Sequence, residues 1–416
     1  MPSAPTARTA MTPAVVVVML TLLLSIQPIS TDLYLPALPT LQSEFMASTA
    51  AAQLTLSALI VCFGLGQLVC GPLADRFGRR PVLLVGMALY TAASLLSAAA
   101  QGIDALVIAR ALQGAAMASA VTCGRSIVRD LFQPHEGARA MSRALGGLGV
   151  VAMLSPIVGG LLVQWSGWHA AMLMTALYGA GVFAFIALRF EETVPQRDPL
   201  ATQPARVLRS WRELASHPTF RAWTALLCCT YGGIFVVLAG SSFVYINVLG
   251  TSRVAYGFIL ASNSAAYILG TVVCRRLLLR HGLRGAVRRG SLFSLAGGLS
   301  VAGISLLGVH TVWAVMLPLW LFAFGHGVNQ PCGQAAVTGP FPTKAGTAAS
   351  LSGFAMMVTA FCIGQVLGLT LGHSVYPLTL GVGGFSVALF IVANTLVQRH
   401  GEPAAARAPE PQASAA

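Results

Sequence analysis

Gly71-Pro72-Leu73-Ala74-Asp75-Arg76-Phe77-Gly78-Arg79-Arg80-Pro81 separates two long apolar runs. Four charges fall within six residues here, in a chain where only 9% of residues are charged. Glycine and proline stand at both ends, so the stretch reads as a tight turn. Its three arginines assign it to the cytoplasmic side of a membrane, where loops collect Lys and Arg.

Outward from that turn, the chain of 416 residues is 56% hydrophobic with mean hydropathy +0.76. Apolar runs of roughly 20 residues recur, the length that spans a hydrocarbon core as a helix. The runs are continuous rather than alternating, which argues against a β-barrel. Net charge is +13 and pI ≈ 10.0. The arginines are spread over loops at membrane edges, so topology accounts for them and nucleic-acid binding does not. The eight cysteines lie in or beside apolar runs without metal-ligand spacing and read as small buried hydrophobes. No metal site and no cofactor are expected. No phosphate-binding glycine loop is present, and Lys344 is the only lysine, which argues against ATP-driven work.

The hydropathy pattern predicts twelve spans, at 13–37, 49–70, 82–100, 103–124, 139–164, 168–188, 221–248, 255–278, 289–308, 311–336, 346–372 and 375–397. With the N-terminus inside, 23 of the 25 basic residues fall on the cytoplasmic side; Arg253 lies outside and Arg110 within a span. A missed span would invert every later loop, so the charge bias supports twelve. The division expected is an N-terminal six-helix bundle at 1–189, a cytoplasmic linker at 190–220, a C-terminal six-helix bundle at 221–400 and a disordered cytoplasmic tail at 401–416. Both termini are expected in the cytoplasm. Leu65–Arg80 aligns without gaps on Leu269–Arg284, with eight identities in sixteen positions at an offset of 204. The two halves therefore read as parallel repeats.

Twelve spans in two such repeats, with the Gly71–Arg80 loop after the second span, resemble the major facilitator superfamily. Finer motifs resemble its bicyclomycin-resistance (Bcr/CflA) drug efflux branch: Thr31-Asp32-Leu33-Tyr34-Leu35-Pro36, Arg129-Asp130, Phe243-Val244-Tyr245-Ile246, and Ala345 through Leu351. The resemblance implies an all-α twelve-helix fold and a proton-driven, non-enzymatic exporter of small drug-like molecules. It further implies a bacterial inner membrane location, with substrate, protons and lipid as partners and a monomer as the working unit. A fifth-helix antiporter motif runs from Gly146 through Ser155, Pro156, Gly159 and Gly160, with Ser155 where many antiporters carry glycine.

Candidate chemistry follows from charge at membrane depth, which costs a few kcal/mol unless paired, protonated or wetted. Asp32 is the one carboxyl group expected within the membrane, because no Asp or Glu occurs from Leu214 to Gly401 and the other acids fall in loops. It lies past an expected break at Pro28, toward the outer end of segment 1, and reads as the proton-coupling group, or else as an outer-loop cap if segment 1 ends early. Arg110 resembles the fourth-helix arginine of drug antiporters and is expected to bias Asp32 or to hold polar cavity groups. A structural arginine bonded to backbone or glutamine is the alternative. Candidates for the cavity between the halves are Gln27, Tyr34, Gln113, Met117, Tyr231, Asn263, Tyr267, His326, Asn329, Gln330 and Gln365; interhelical hydrogen bonding is the alternative for each. The cytoplasmic gating loop comprises Gly71, Asp75, Arg76, Gly78, Arg79 and Arg80, with Arg129. By the resemblance, Asp75 meets the start of segment 11, near Thr343 to Gly346, together with Arg129. Two other functions stay open at this point: a metabolite importer or facilitator, and a non-transporting membrane receptor or enzyme.

Overall fold

The computed structural model describes residues 12–132, 134–194, 196–341, 344–372 and 374–401. Thr343, expected beside Asp75, and the tail beyond Gly401 lie outside the described residues. The long elements are α1 (Pro13–Thr31), α3 (Thr49–Phe77), α4 (Arg79–Ala98), α5 (Ile103–Leu131), α6 (Pro134–Arg189), α8 (Pro218–Ser242), α9 (Arg253–Leu306), α10 (Val312–Thr338), α11 (Ala345–Thr370) and α12 (Tyr376–Asn394). Shorter helices are α2 (Leu38–Glu44), α7 (Pro204–Ser216) and α13 (Leu396–His400). No strand occurs among the described residues.

Ten helical stretches among the described residues are long and apolar enough to cross a membrane. Two of them each make two crossings. The 56 residues of α6 would run about 84 Å if straight, against a hydrocarbon core of about 30 Å. The backbone leaves the helical region once inside α6, at Gly167 (φ 77°), and once inside α9, at Gly282 (φ 65°). The fold therefore has twelve spans, with the breaks in the two loops where the hydropathy pattern places them.

The repeat is visible in detail at the offset of 204. Gly78 and Gly282 both carry positive φ, at 107° and 65°. Ser48 caps α3 by accepting from Ala51 N, and Ser252 caps α9 by accepting from Ala255 N. Arg80 donates to the Ala187 carbonyl and Arg284 to the Gln398 carbonyl, each closing the end of its own half. These arginines therefore act locally as helix C-caps as well as topology signals.

At Gly78 a side chain meets two obstacles. The φ of 107° is disfavoured for any residue with a Cβ, and that Cβ would fall on the Glu192 carboxylate. Glu192 accepts from the backbone N–H of Arg79 (2.8 Å) and Arg80 (3.2 Å), placing a negative charge on the N-terminus of α4. Gly78→Ala is expected to lower stability by on the order of 2 kcal/mol, from left-handed strain plus the displaced cap. Thermal unfolding of the purified protein reads this; an unchanged midpoint would show that the turn relaxes freely.

One expected boundary is corrected. The first span does not run unbroken to residue 37, and it does not break at Pro28. Pro28 sits inside α1, which ends at Thr31; a 3-10 turn at Leu35–Ala37 and α2 follow. Proline lacks only its own N–H, and its carbonyl still accepts from Asp32 N at 2.8 Å. Asp32 thus caps the C-terminal end of α1 while remaining at membrane depth.

Candidate functional site

A cavity of ≈ 240 Å³ lies where α1, α3, α6, α8, α9 and α10 converge. Gln27, Thr31 and Asp32 come from α1 and its end, Tyr231 from α8, Asn263 and Tyr267 from α9, and His326 from α10. Most of the remaining wall is apolar, including Leu56, Ile60, Leu148, Ile234, Phe235 and Leu260. The Gln27 amide donates to the Tyr231 hydroxyl at 3.5 Å, and these residues are 204 apart. Equivalent positions of two repeats touch only near the pseudo-two-fold axis, so the cavity lies on that axis. Such a position contacts both halves of the molecule.

Asp32 is the one acid on this wall. Its Oδ1 accepts from the Thr31 hydroxyl at 2.8 Å, and it makes no ion pair among the described residues. It also sits at the negative end of α1, where the helix dipole opposes a carboxylate. A proton, water or a cationic ligand group relieves both penalties. On the opposite wall, His326 Nδ1 bonds the Thr230 hydroxyl at 2.9 Å, and its ring lies 5.4 Å from that of Tyr267. The Asn263 side-chain oxygen has no hydrogen-bond partner among the described residues.

Arg110 is fully buried and is not paired with Asp32. Its Nη2 donates to the Ser30 carbonyl (2.8 Å), its Nη1 to the Gln113 side-chain oxygen (2.6 Å), and its guanidinium lies 4.2 Å from the centre of the Tyr34 ring. The Ser30 carbonyl is one of the acceptors that α1 leaves unused at its C-terminal end. Arg110 therefore caps the segment that carries Asp32. Helical geometry explains the separation: Ser30 and Asp32 are two residues apart, on opposite sides of α1.

Several cavity expectations are corrected. Tyr34, Gln113, Met117, Asn329, Gln330 and Gln365 do not line this cavity. Tyr34 bonds the Thr55 hydroxyl (2.5 Å), Gln113 donates to Ser94 (2.7 Å) and Thr175, and Met117 is buried in the core. Asn329 donates to Ser294. Tyr34 and Gln113 are thus engaged by neighbouring helices, whereas Asn329 Oδ1, Gln330 Oε1 and Gln365 Nε2 are buried without a partner among the described residues. In the antiporter segment, a methyl on Gly159 or Gly160 would strike the backbone of Leu33 or Arg253, whereas Gly146 has open space. Ser155 bonds back to the Val151 carbonyl (2.7 Å), so its hydroxyl is satisfied within its own helix. Pro156 lines the cavity.

The gating loop is also rearranged relative to expectation. Among the described residues, Asp75 makes no hydrogen bond or ion pair with Arg129 or the start of α11. Its carboxylate accepts from Arg79 at 2.6 Å, and Arg79 also pairs with Asp130 at 3.0 Å. The turn at Gly78 brings Asp75, near the end of α3, against Arg79, the first residue of α4. Arg76 donates to the Thr202 hydroxyl (2.6 Å), and Asp198 N donates to the Asp75 carbonyl (3.0 Å), so the linker is fastened to this loop. Gly71 lies beside Thr122 of α5 and Ser350 of α11. At the far end of the linker, Lys344 pairs with Glu213 of α7 and holds that carboxyl below its ordinary range. Glu192 and Thr230 act here without a sequence signal; the partners Arg79 and His326 lie 113 and 96 residues away.

A sequence profile of the Major Facilitator Superfamily matches residues 20–369. The chain belongs to that superfamily. This facilitator-superfamily transporter is 29% identical over 335 residues to the multidrug resistance protein D of Escherichia coli (strain K12), covering 80% of this chain and 84% of that protein. It is 28% identical over 346 residues to a chloramphenicol resistance protein of Pseudomonas aeruginosa, covering 81% and 77%. A bicyclomycin resistance protein homolog of Haemophilus influenzae is 24% identical over 341 residues, covering 82% and 84%. Among solved structures, the human organic anion transporter MFSD10 superposes with TM-score 0.69 at 19% identity, over 92% of this chain and 99% of that one. A D-xylose-proton symporter gives 0.70 at 15% identity, over 91% and 97%. Both show the shared fold. The protein is a multi-pass membrane transporter of small molecules with drug-resistance relatives.

Proposed function

We propose that this transporter exports small amphiphilic drugs or related compounds in exchange for protons. The observation that carries the reading is Asp32: the one acid on an otherwise largely apolar cavity at the pseudo-symmetry axis, without a cationic partner among the described residues. Protonation from the outer side and ligand binding from the inner side compete for this carboxylate. Residues 1–189 and 221–400 are the two moving halves, and 190–220 is the linker. Both termini lie in the cytoplasm of a bacterial inner membrane protein that acts as a monomer. Alternating exposure of the cavity then converts a proton gradient into outward ligand movement. The relatives' names support drugs as the cargo.

Everted vesicles with an acid lumen test the direction. Added chloramphenicol, the drug in one relative's name, is expected to accumulate in the lumen while luminal protons leave. Accumulation under the opposite gradient alone would establish an importer instead.

A further inference from the structure

Thr31 stands between Asp32 and the helix that carries it. Its hydroxyl oxygen lies 2.8 Å from Asp32 Oδ1 and 2.9 Å from the Gln27 carbonyl oxygen. A hydroxyl has one hydrogen to donate, so it serves one of these two acceptors at a time. Thr31 is buried and lines the central cavity beside Asp32. It is also the one hydrogen-bond partner of the Asp32 carboxylate among the described residues.

The charge on Asp32 decides between the two acceptors. An ionised carboxylate is the stronger one and takes the Thr31 hydrogen. A protonated carboxyl group has a hydrogen of its own to give. It then donates to Thr31 Oγ1, and the Thr31 hydrogen turns to the Gln27 carbonyl. A threonine that bonds back four residues competes with the helix hydrogen bond there and bends the helix. Pro28, the next residue, already leaves α1 one N–H short at this turn. The Gln27 side chain reaches Tyr231 of the other half at 3.5 Å. Facing Asp32 from that half are Tyr231 of α8, Tyr256 and Tyr267 of α9 and His326 of α10. The α3 and α6 walls of the cavity carry no titratable group, and Arg110 of α5 is turned to Ser30.

We propose that Thr31 is the positioning residue that carries the protonation state of Asp32 to the contact between the halves, its hydroxyl turning from Asp32 to the Gln27 carbonyl when Asp32 takes up a proton. The turn bends α1 at Gln27 and Pro28 and moves the Gln27 amide against Tyr231. Only the O–H bond of Asp32 forms or breaks, and the proton stays on that carboxyl group until it leaves the cavity. This step rests on Asp32 as the proton-coupling group of the proposed function.

Amide hydrogen exchange of the full-length protein in lipid nanodiscs, without cargo, tests the step. The rate for the peptide carrying Thr31 to Leu33 is divided by the intrinsic chemical rate at each pH. In the wild type this ratio is expected to rise at least about threefold from about pH 8 to about pH 5, as back-bonding loosens the turn. Thr31→Val keeps the side-chain shape without the hydroxyl, and its ratio is expected not to change with pH. Thr31→Ser is expected to restore the response, which a role for the threonine methyl group alone would not. Asp32→Asn is expected to abolish it. A response that persists in Asp32→Asn would assign the proton to another group and overturn the reading of Asp32 itself. The Thr31 step alone is overturned if the wild type does not respond, if Thr31→Val responds as the wild type does, or if Thr31→Ser fails as Thr31→Val does.

Discussion

Asp32→Asn is expected to reduce proton-driven transport to background while the protein still inserts and folds. The substitution keeps the side-chain shape, and an amide oxygen still accepts the 2.8 Å bond from Thr31. It removes the ionisable group and nothing else from the cavity wall. Ligand binding separates coupling from folding. In the wild type, affinity falls as pH is lowered, because proton and ligand compete for the carboxylate; for one proton the limit is about tenfold per pH unit. The variant is expected to bind with an affinity that does not change with pH. Calorimetric titration at several pH values measures this directly. A variant that keeps full proton-coupled flux in sealed vesicles would remove Asp32 from the mechanism.

The second large effect is expected at Arg110. Arg110→Met unpairs the Ser30 carbonyl and the Gln113 oxygen, both buried, at about 1–3 kcal/mol each. Relief from burying a cation offsets part of that. A net loss on the order of 2–4 kcal/mol follows, with faster amide exchange concentrated at Ser30–Leu33. Arg110→Lys recovers only part of it, since an ammonium cannot span both acceptors as a planar fork does. Transport falls in step with the loosening of the α1 end, because Asp32 is held there. Unchanged melting and exchange in Arg110→Met would show that α1 ends as it does without this cap.

The two residues illustrate what a linear reading reaches. Both stand out because charge at membrane depth is costly and therefore rare. Rarity says nothing of the partner. The expected link between Arg110 and Asp32 fails because two residues along a helix turn the side chain to the other side, and the depth of a residue does not specify its azimuth. The same limit separates Gln27, Tyr231, Asn263, Tyr267 and His326, which line the cavity, from Gln113 and Asn329, which do not. All are polar groups within spans. Gln113 and Asn329 instead donate to a serine hydroxyl on a neighbouring helix.

By itself the sequence determined the twelve crossings, the two parallel repeats and the isolation of Asp32 among the acids; the turn it placed over Gly71–Pro81 is in the structure a break at Gly78 alone, with Gly71–Phe77 continuing α3. Each rests on a local quantity: the apolar length needed to span a bilayer, the bias of basic loops, and the left-handed backbone that a glycine such as Gly78 allows. Only the tertiary structure decided that Gln27 meets Tyr231 at the axis, that Asp75 turns to Arg79 and that Glu192 caps α4. These facts depend on which helix faces which. That choice is made by packing over distant parts of the chain, where apolar surfaces do not code for a specific partner.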